Sequence, residues 1–376
     1  MTTKGEGMQA DKAGYPHFML KEIMEQPEVV EKTLAAAVAS VEEARWQGDL
    51  ALLDLARYRK ALVVACGTAY HAGLVGKHFL ERAAGIPVQA ELAAEFRYTD
   101  PFVDEETLVL VISQSGETGD TLAAMRKAKE KGGTILAITN VPGSTIAREA
   151  HCVVNTLAGR EVAIASTKAY LAQIATLYLI GLQVAVTKGT MTAAAAARYL
   201  QALAEMPRLV EGVLAGRETY KPLAARLAKS NHAFYLGRGL DQAVAMEGSL
   251  KLKETTYIHA EAYSAGEFRH GPIALIEEGV PALVLATQPE LVLPNKAIVE
   301  ELKSRGAWVI AVTMGGDDTV AALADDAIVL PATLPELAPM LAVVPLQLIA
   351  YYTACAKGLE VDTPRNLVKS VKDAHQ

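Results

Sequence analysis

The feature that most constrains the fold is an alternation of short apolar strands with helical segments, which occurs twice along the chain. "ALVVACGTAYHAG" is typical of a strand, a glycine turn and the start of a helix, and "HAFYLGRGLDQAVAMEG" repeats that pattern. "LVLVISQSGETGDTLAAMRKAKEKGGTILAITN" has a partner in "ALVLATQPELVLPNKAIVEELKSRGAWVIAVTM". Because order and spacing hold across successive elements, we expect an α/β protein with two tandem, doubly wound parallel-sheet lobes.

The equivalent strands also predict how the chain is divided. Thr139 and Thr313 close equivalent strands, and "CVVNT" and "AIVLP" supply one further strand in each lobe. The stretch "HFMLKEIMEQPEVVEKTLAAAVASVEEARW" is helical in pattern and belongs to neither repeat, while an alanine-rich helix bridges the lobes. Each lobe is expected to be flavodoxin-like with three αβα layers. The expected units are an N-terminal helical segment, a first lobe, a second lobe and a C-terminal tail, at 1–45, 46–215, 216–360 and 361–376.

Composition excludes several classes of function. The formal charge of −7 argues against a general binder of nucleic acid or of a membrane surface, since both need a basic face. The N-terminus has no apolar run typical of a signal peptide. "PMLAVVPLQLIAYYTACAKG" contains Pro345 and Gln347 and falls short of the roughly 20 apolar residues of a spanning helix, so we expect a buried helix there.

The three cysteines follow no metal or disulfide spacing. A reducing, cytoplasmic location is therefore the expectation. Cys66 and Cys152 flank predicted strands, and we interpret both as small core residues and not as reactive thiols.

A cluster of small donors follows one apolar strand in the first repeat, at "SQSGETGDT". A helix N-terminus binds phosphate without a cationic side chain, and Ser113, Ser115 and Thr118 add hydroxyls. Simple helix capping is the alternative, although one cap needs only one hydroxyl. The lysine of a nucleotide-binding P-loop is missing. The second repeat has "TQPELVLPN" at this place, and its prolines remove amide donors, so only the first lobe is expected to hold an anion.

Two further segments carry candidate chemistry. In "EVAIASTKAYLAQI", Ser166 and Thr167 precede a helix whose first turn contains Lys168; the loop is either a helix cap or a functional loop. In the second lobe Glu247 and Lys251 are spaced to share one helical face, where we expect an exposed salt bridge.

Glu254 stands apart from that pair. It shares the helical face but lies near the helix end, where a carboxylate beside a pocket can transfer protons.

The remaining candidates are two histidines and a tail lysine. Neither His259 nor His270 has a partner at metal-ligand spacing, so we expect no zinc, and no cofactor motif is evident. His270 precedes a Gly-Pro pair that could fix the imidazole. Lys369 lies in the tail "VDTPRNLVKSVKDAHQ", where lysines are normally solvated.

Taken together, these motifs resemble the isomerase half of the glucosamine-6-phosphate synthase family, which is built from two sugar isomerase (SIS) domains. The resemblance covers residues 17–370, nearly the whole chain. It is carried by "ACGTAYHAG", "SQSGETGDT", "ASTKAY", "EGSLKLKE", "IHAEAYSAGEFRHGP" and "PRNLVKS".

The resemblance implies a role for each matching residue. Glu254 would carry a proton between C1 and C2 of fructose 6-phosphate, with Lys251 as its electrostatic helper. Lys369 would form a Schiff base with the open-chain ketone. His270 would open the sugar ring and would be lent by a neighbouring subunit, which implies a homodimer. The residues that the resemblance assigns to the phosphate and the sugar are Thr68, Ser113, Gln114, Ser115, Thr118, Ser166 and Val368.

Three departures from the family pattern bear on function. The first cysteine is Cys66, so the N-terminal cysteine nucleophile of a glutaminase domain is missing, and we expect no glutamine hydrolysis. Arg269 stands where the family has lysine, and the tail continues as "VKDAHQ". The expected reaction is amination of fructose 6-phosphate by ammonia, either free or from a separate glutaminase.

Two alternatives stay open at this point. One is a glucosamine-6-phosphate deaminase or sugar-amine deglycase of the SIS type, against which the tail lysine argues. The other is a non-catalytic sugar-phosphate sensor, for which the chain offers no spare basic segment and which would have no use for Glu254.

Overall fold

The computed structural model describes residues 11–52 and 54–369. Residues 1–10 of the expected N-terminal segment and residues 370–376 of the expected tail lie outside the described part. The described N-terminal segment consists of α1 (Phe18–Met24), α2 (Gln26–Ala37), β1 (Val38–Ser40), β2 (Arg45–Trp46) and α3 (Gly48–Ala51).

The expectation of a helix running to Trp46 is wrong beyond Ala37. From Val38 onward the backbone is extended, and β1 pairs antiparallel with β2. Val38 and Val41 are β-branched and favour strands, and Ala44 adopts a positive φ of 47°, which no helix contains.

The first lobe is a five-stranded parallel sheet in the order β4-β3-β5-β6-β7. Counted within the lobe, this is the 2-1-3-4-5 order of flavodoxin-like folds. Its elements are β3 (Lys60–Ala65), α4 (Gly67–Ala84), β4 (Val88–Leu92), α5 (Ala93–Phe96), β5 (Thr107–Ser113), α6 (Gly119–Glu130), β6 (Thr134–Thr139), α7 (Thr145–Glu149), β7 (Cys152–Asn155) and α8 (Lys168–Thr187).

The second lobe repeats that topology after the bridging helix α9 (Ala193–Ala215). Its parallel sheet has the order β12-β11-β10-β8-β9, which is again 2-1-3-4-5 when counted within the lobe. The two predicted doubly wound α/β lobes are confirmed. The elements are α10 (Lys221–Leu227), β8 (His232–Gly237), α11 (Leu240–Thr256), β9 (His259–Ser264), β10 (Pro281–Ala286), α12 (Val292–Ser304), β11 (Trp308–Met314), β12 (Asp326–Leu330) and α13 (Ala338–Ala356).

The largest hydrophobic core lies between the two sheets. Alternate residues of β3 such as Val63 and alternate residues of β8 such as Tyr235 belong to it, together with α4, α8, α11 and α13. The outer faces have separate cores, with Val64 in the first lobe and Leu236 in the second. Because the central strands β5 and β10 bury both faces, they consist almost wholly of apolar residues.

Two helices of the described chain are long and apolar enough to cross a membrane by length and composition, at Lys168–Thr187 and Pro335–Ala356. Inside this structure 94% of the first apolar window and 100% of the second are buried. The second contains the stretch in which we predicted a buried C-terminal helix, and that prediction is confirmed.

Candidate active site

A cavity of about 290 Å³ opens where β3 and β5 end and their following helices begin. This is the edge of a doubly wound sheet at which ligands bind. Nine residues singled out from the sequence line it, although they come from five separate stretches of the chain. They are Thr68, Ser113, Gln114, Ser115, Thr118, Ser166, Glu254, Val368 and Lys369.

The turn after β5 is shaped by its own hydroxyl groups. Ser113 Oγ accepts a hydrogen bond from the amide of Gly116 at 3.0 Å and lies 3.2 Å from Thr118 Oγ1. Ser115 Oγ accepts from the amide of Glu117 at 3.2 Å. A hydroxyl that accepts a hydrogen bond keeps its own proton for donation, so these groups can serve the turn and a ligand together.

Gly116 allows this turn to close. Its φ is +66°, and a Cβ at this position would lie 2.0 Å from Ser144 Oγ. Only glycine fits both the backbone conformation and the space. Thr118 is the N-cap of α6 but makes no capping hydrogen bond with its side chain. The hydroxyl cluster is therefore not explained by helix capping alone, and it lies at the positive end of a helix dipole.

A buried network of charges joins the two lobes beside the cavity. Glu247 Oε2 lies 2.8 Å from His71 Nδ1, and Glu247 Oε1 accepts from Thr68 Oγ1 at 3.1 Å. Lys251 Nζ donates to the same Thr68 oxygen at 3.0 Å and lies 2.6 Å from Glu254 Oε2. Thr68 and His71 come from α4, and the other three residues come from α11.

The prediction of an exposed Glu247–Lys251 salt bridge is wrong. Both side chains are fully buried, and the two charges lie 3.4 Å apart. Helical spacing shows which residues share a face but not what covers that face, and here α11 packs against α4. Burial opposes the positive charge of Lys251, but the carboxylates of Glu247 and Glu254 outweigh it and raise the pKa. Lys251 is therefore a permanent cation.

Glu254 occupies the last turn of α11, as predicted, and its side chain is 20% exposed. The Glu254 carboxylate lines the cavity, whereas Lys251, which pairs with it, does not. A partly exposed carboxylate next to a fixed cation can remove a proton from a bound molecule and return it.

The loop before α8 has a different structure from a capped helix end. Thr167 precedes the helix, but its side chain makes no capping hydrogen bond and its Oγ1 is buried without a hydrogen-bond partner. The amides of Thr167 and Ala169 donate instead to Glu161 Oε1, at 2.9 and 3.1 Å. Lys168 points away from the cavity lining and pairs with Glu25 at 2.7 Å.

The described end of the tail reaches the cavity. Lys369 Nζ donates to Glu161 Oε2 at 2.7 Å and to the carbonyl of Ala163 at 2.6 Å, and its side chain is only 27% exposed. A tail lysine is normally solvated, so the sequence alone assigned it nothing. Val368 and Leu367 complete this wall of the cavity.

His270 does not join the cavity within one chain. It is exposed, at the end of a short 3₁₀ turn, and is followed by Gly271 with a φ of +150°. Its neighbour Arg269 pairs with Glu301 at 2.6 Å. His259 is also exposed and lies 3.3 Å from Glu261. Within residues 11–52 and 54–369, no three His, Cys, Asp or Glu side chains are grouped to hold a metal ion.

Three residues of the site escaped the sequence analysis. Glu161 is a loop carboxylate without helical or strand periodicity, and His71 lies one helical turn after the predicted Thr68. Cys66 was interpreted as a core residue at the end of a strand. It is the residue after β3, half-buried, and it lines the cavity, while burial raises the pKa of its thiol. The only local signal for Glu161 is its position just before the polar loop.

Comparison with known proteins gives matches over nearly the whole chain. The SIS domain family model matches residues 54–182 and 226–357. The chain is 49% identical over 363 residues to the glutamine–fructose-6-phosphate aminotransferase (isomerizing) of Caldanaerobacter subterraneus, covering 96% of this chain and 60% of that protein. The aminotransferase of the same name from Thermus thermophilus is 47% identical, with the same coverage. The chain thus spans about 60% of the length of these relatives.

Solved structures agree with the sequence matches. The C-terminal domain of glucosamine-fructose-6-phosphate aminotransferase from Francisella tularensis superimposes with a TM-score of 0.88 at 36% identity, covering 94% of this chain and all of that one. A glucosamine-6-phosphate deaminase from Thermotoga maritima has a TM-score of 0.75 at 25% identity, covering 94% and 99%.

Proposed function

Because this chain belongs to the SIS domain family, we propose that it converts fructose 6-phosphate and ammonia into glucosamine 6-phosphate and water. The observation that carries this proposal is that one cavity combines a strand tip rich in hydroxyl groups, the carboxylate of Glu254 and the amine of Lys369. The names of the most similar relatives, which refer to aminotransferases acting on this sugar phosphate, support it.

The phosphate of the substrate would bind at the turn after β5. Ser115 and Thr118 would donate hydroxyl protons to it, and the N-terminal end of α6 would stabilise its charge. Ser113 and Gln114 would complete the turn, and Thr68, Ser166 and Val368 would line the sugar. C1 and C2 of the open-chain sugar would then lie near Glu254 and Lys369, which line the same cavity.

Lys369 would activate the ketone. The Lys369 ammonium first loses a proton; the neutral amine then adds to C2, water leaves, and the resulting imine makes the C1 protons more acidic. Ammonia then adds to C2 and displaces the lysine amine, which leaves a C2 imine of the sugar itself.

Glu254 would complete the reaction by moving one proton. Its carboxylate removes a proton from C1 of the protonated C2 imine, which gives an enamine, and returns a proton to C2. Loss of the proton on the C1 oxygen then gives the aldehyde of the 2-amino aldose. Lys251 stays charged and stabilises the negative charge that develops between these steps. With no amine present, the same proton transfer would isomerise the hexose phosphate slowly.

The test is a product assay. Purified protein is incubated with fructose 6-phosphate alone, with ammonium, and with glutamine, and glucosamine 6-phosphate is measured. Ammonium-dependent formation of the amino sugar is expected. Absence of any product, with the protein folded and fructose 6-phosphate bound, would refute the proposal.

The reverse reaction is a second candidate, because the chain also resembles a glucosamine-6-phosphate deaminase structure. Synthesis is favoured because Lys369 is held inside the cavity, where it can reach the ketone. Initial rates in both directions, repeated with Lys369→Ala, separate the two. Deamination that is faster than synthesis and insensitive to that change would favour a deaminase.

A homodimer is part of the proposal, because His270 would open the sugar ring, yet it is exposed and does not line the cavity of its own chain. A partner subunit would lend this imidazole. Mixing Thr118→Val protein with His270→Ala protein should restore part of the activity if the site is shared. The substrate is an anionic ester that does not cross membranes, so the proposal implies a cytoplasmic enzyme.

A further inference from the structure

Glu161 is a buried carboxylate in the cavity wall that has no role in the proposed chemistry. Its side chain is fully inaccessible to solvent. One oxygen accepts from the amides of Thr167 and Ala169 at the start of α8, and the other receives the ammonium of Lys369 at 2.7 Å. Its hydrogen bonds thus come either from a helix N-terminus or from the tail lysine.

Glu161 stays charged in spite of its burial. Burial raises the pKa of this carboxyl, but Lys369 and the two amides lower it further than burial raises it. A buried carboxylate with two fixed amide donors cannot reorient freely, because turning away would leave those donors unpaired. Its second oxygen therefore presents a fixed negative charge to the cavity.

The loop that carries Glu161 is anchored from the opposite side by the N-terminal helix. Glu22 of α1 accepts hydrogen bonds from the amides of Val162 and Ala163. The amide of Ile164 donates to the carbonyl of Asp362 in the tail at 3.0 Å. The Asp362 carboxylate accepts in turn from the amides of Phe18 and Met19 at the start of α1. The loop, α1 and the tail thus form one connected unit.

We propose that Glu161 is a positioning residue that holds the Lys369 amine at the cavity wall, within reach of a sugar bound at the strand tip. This inference rests on the proposed function, because it gives Lys369 the role of the reacting amine. A lysine side chain has many rotamers, and fixing it near the carbonyl raises its effective concentration. The phosphate site is built from other residues, so Glu161 affects the reaction more than it affects binding.

The closing experiment compares Glu161→Gln with Glu161→Asp and with a matched control, Glu25→Gln. The control removes a Glu–Lys ion pair of the same 2.7 Å length, next to the same helix start, whose lysine does not line the cavity. Each variant is assayed for kcat and KM. Sodium borohydride then traps the imine formed with fructose 6-phosphate, and mass spectrometry measures the adduct on Lys369.

For Glu161→Gln we expect kcat and the rate of adduct formation to fall together by about 10- to 100-fold, with KM within about threefold. Glu161→Asp should recover part of the loss, since it keeps the charge. Glu25→Gln should stay within about twofold of the unchanged protein. If Glu161→Gln folds and traps the imine as fast as Glu25→Gln, the inference is overturned.

A substrate-free measurement separates this inference from the proposed function. Lysine acetylation by acetic anhydride is followed at Lys369, with the exposed Lys357 as internal reference. In Glu161→Gln, acetylation of Lys369 relative to Lys357 should be at least fivefold faster, because the carboxylate that anchors Lys369 is lost. If the glutamine variant does not fold, Glu161→Asp should show a smaller acceleration of the same kind. Unchanged acetylation refutes the positioning role. Absence of turnover and of any adduct in the unchanged protein refutes the proposed function alone.

Discussion

The two lobes share a topology but end their equivalent strands in opposite ways. After β5 the first lobe has a turn of hydroxyls that opens into the cavity. After β10 the second lobe has Thr287, whose amide and hydroxyl both donate to the buried carboxylate of Asp241. Asp241 lies four residues after the end of β8, and the residue at the equivalent place after β3 is Ala69. The Ala69 side chain has no hydrogen-bond acceptor, and it lines the cavity.

The shared fold supplies an equivalent position at the strand tip of each lobe, and the loop sequence determines what binds there. In the second lobe the donors at the strand tip, both from Thr287, are bonded to the internal carboxylate of Asp241. Two prolines follow Thr287 where the first lobe has hydroxyl residues. In the first lobe the tip stays open for an external anion. The second lobe contributes through α11 instead, whose charged residues meet α4, the equivalent helix of the first lobe.

The largest effect is expected when the carboxylate that the second lobe supplies to the cavity is removed. Glu254→Gln should lower kcat by about 10³-fold with little change in KM, because a positioned general base contributes about 10²- to 10⁴-fold. Steady-state kinetics measure this. Glu261→Gln, a carboxylate on β9 outside the cavity lining, is the control and should be unaffected. Full activity in Glu254→Gln would mean that the second lobe has no catalytic part.

The next test substitutes two equivalent residues, one at the strand tip of each lobe. Thr118 is the last residue before α6, and Leu291 is the last before α12. Thr118→Val keeps the shape but removes the hydroxyl, and should raise KM for fructose 6-phosphate by about 10- to 100-fold, since a hydrogen bond to a charged group contributes about 1.5–3 kcal/mol.

Leu291→Ala should leave KM unchanged. Equal effects of the two substitutions would contradict the assignment of the anion site to the first lobe. Isothermal titration with the same sugar phosphate gives an independent measure of binding.

Asp241, which has no counterpart in the first lobe, should make the stability of the protein depend on pH. Burial raises the pKa of this carboxyl from 3.8 to about 6, although Thr287 donates to it. A raised pKa in the folded state gives stability that is present below pH 4 and is lost as pH rises through about 6.

Relative to Asp241→Asn, the unchanged protein should therefore lose on the order of 2–3 kcal/mol of unfolding free energy as pH rises from about 4 to 7. Urea denaturation at several pH values between 4 and 7 would detect most of the change. A difference between the two proteins that is constant with pH would mean that Asp241 titrates in the same way when unfolded.

The smallest effects are expected where the lobes do not differ. Each has a surface ion pair between a helix and a neighbouring loop or helix: Arg126 with Glu149 in the first lobe, and Lys303 with Asp325 in the second. Arg126→Ala and Lys303→Ala should each cost less than about 1 kcal/mol of stability, and less still in high salt. A much larger loss in one lobe would show that its outer surface is not equivalent to that of the other.

The parts of this structure that the sequence predicts are those governed by local chemistry. The strands β5 and β10 were identified because buried strands are continuous apolar runs, and the hydroxyl turn after β5 because small donors interrupt such a run abruptly. Glu254 was singled out by its place at a helix end. Each of these signals lies within a few residues of the feature it predicts.

The errors concern what packs against what. Glu247 and Lys251 form an ordinary surface pair by spacing, and only the docking of α4 on α11 shows that they are buried. Glu161 has no signal of its own, because its partner Lys369 lies at the other end of the chain. Val38 lies in a segment of helical pattern, but its backbone is extended and it pairs with Trp46.

The junction of α1 with the tail has a consequence for heat inactivation. Asp362 fastens the first turn of α1, and Lys369 follows it by seven residues in the same tail. Local unfolding of a seven-residue helix requires far less free energy than melting two five-stranded sheets. The proposed turnover should thus be lost at temperatures where the sheets are still intact, and should return on cooling.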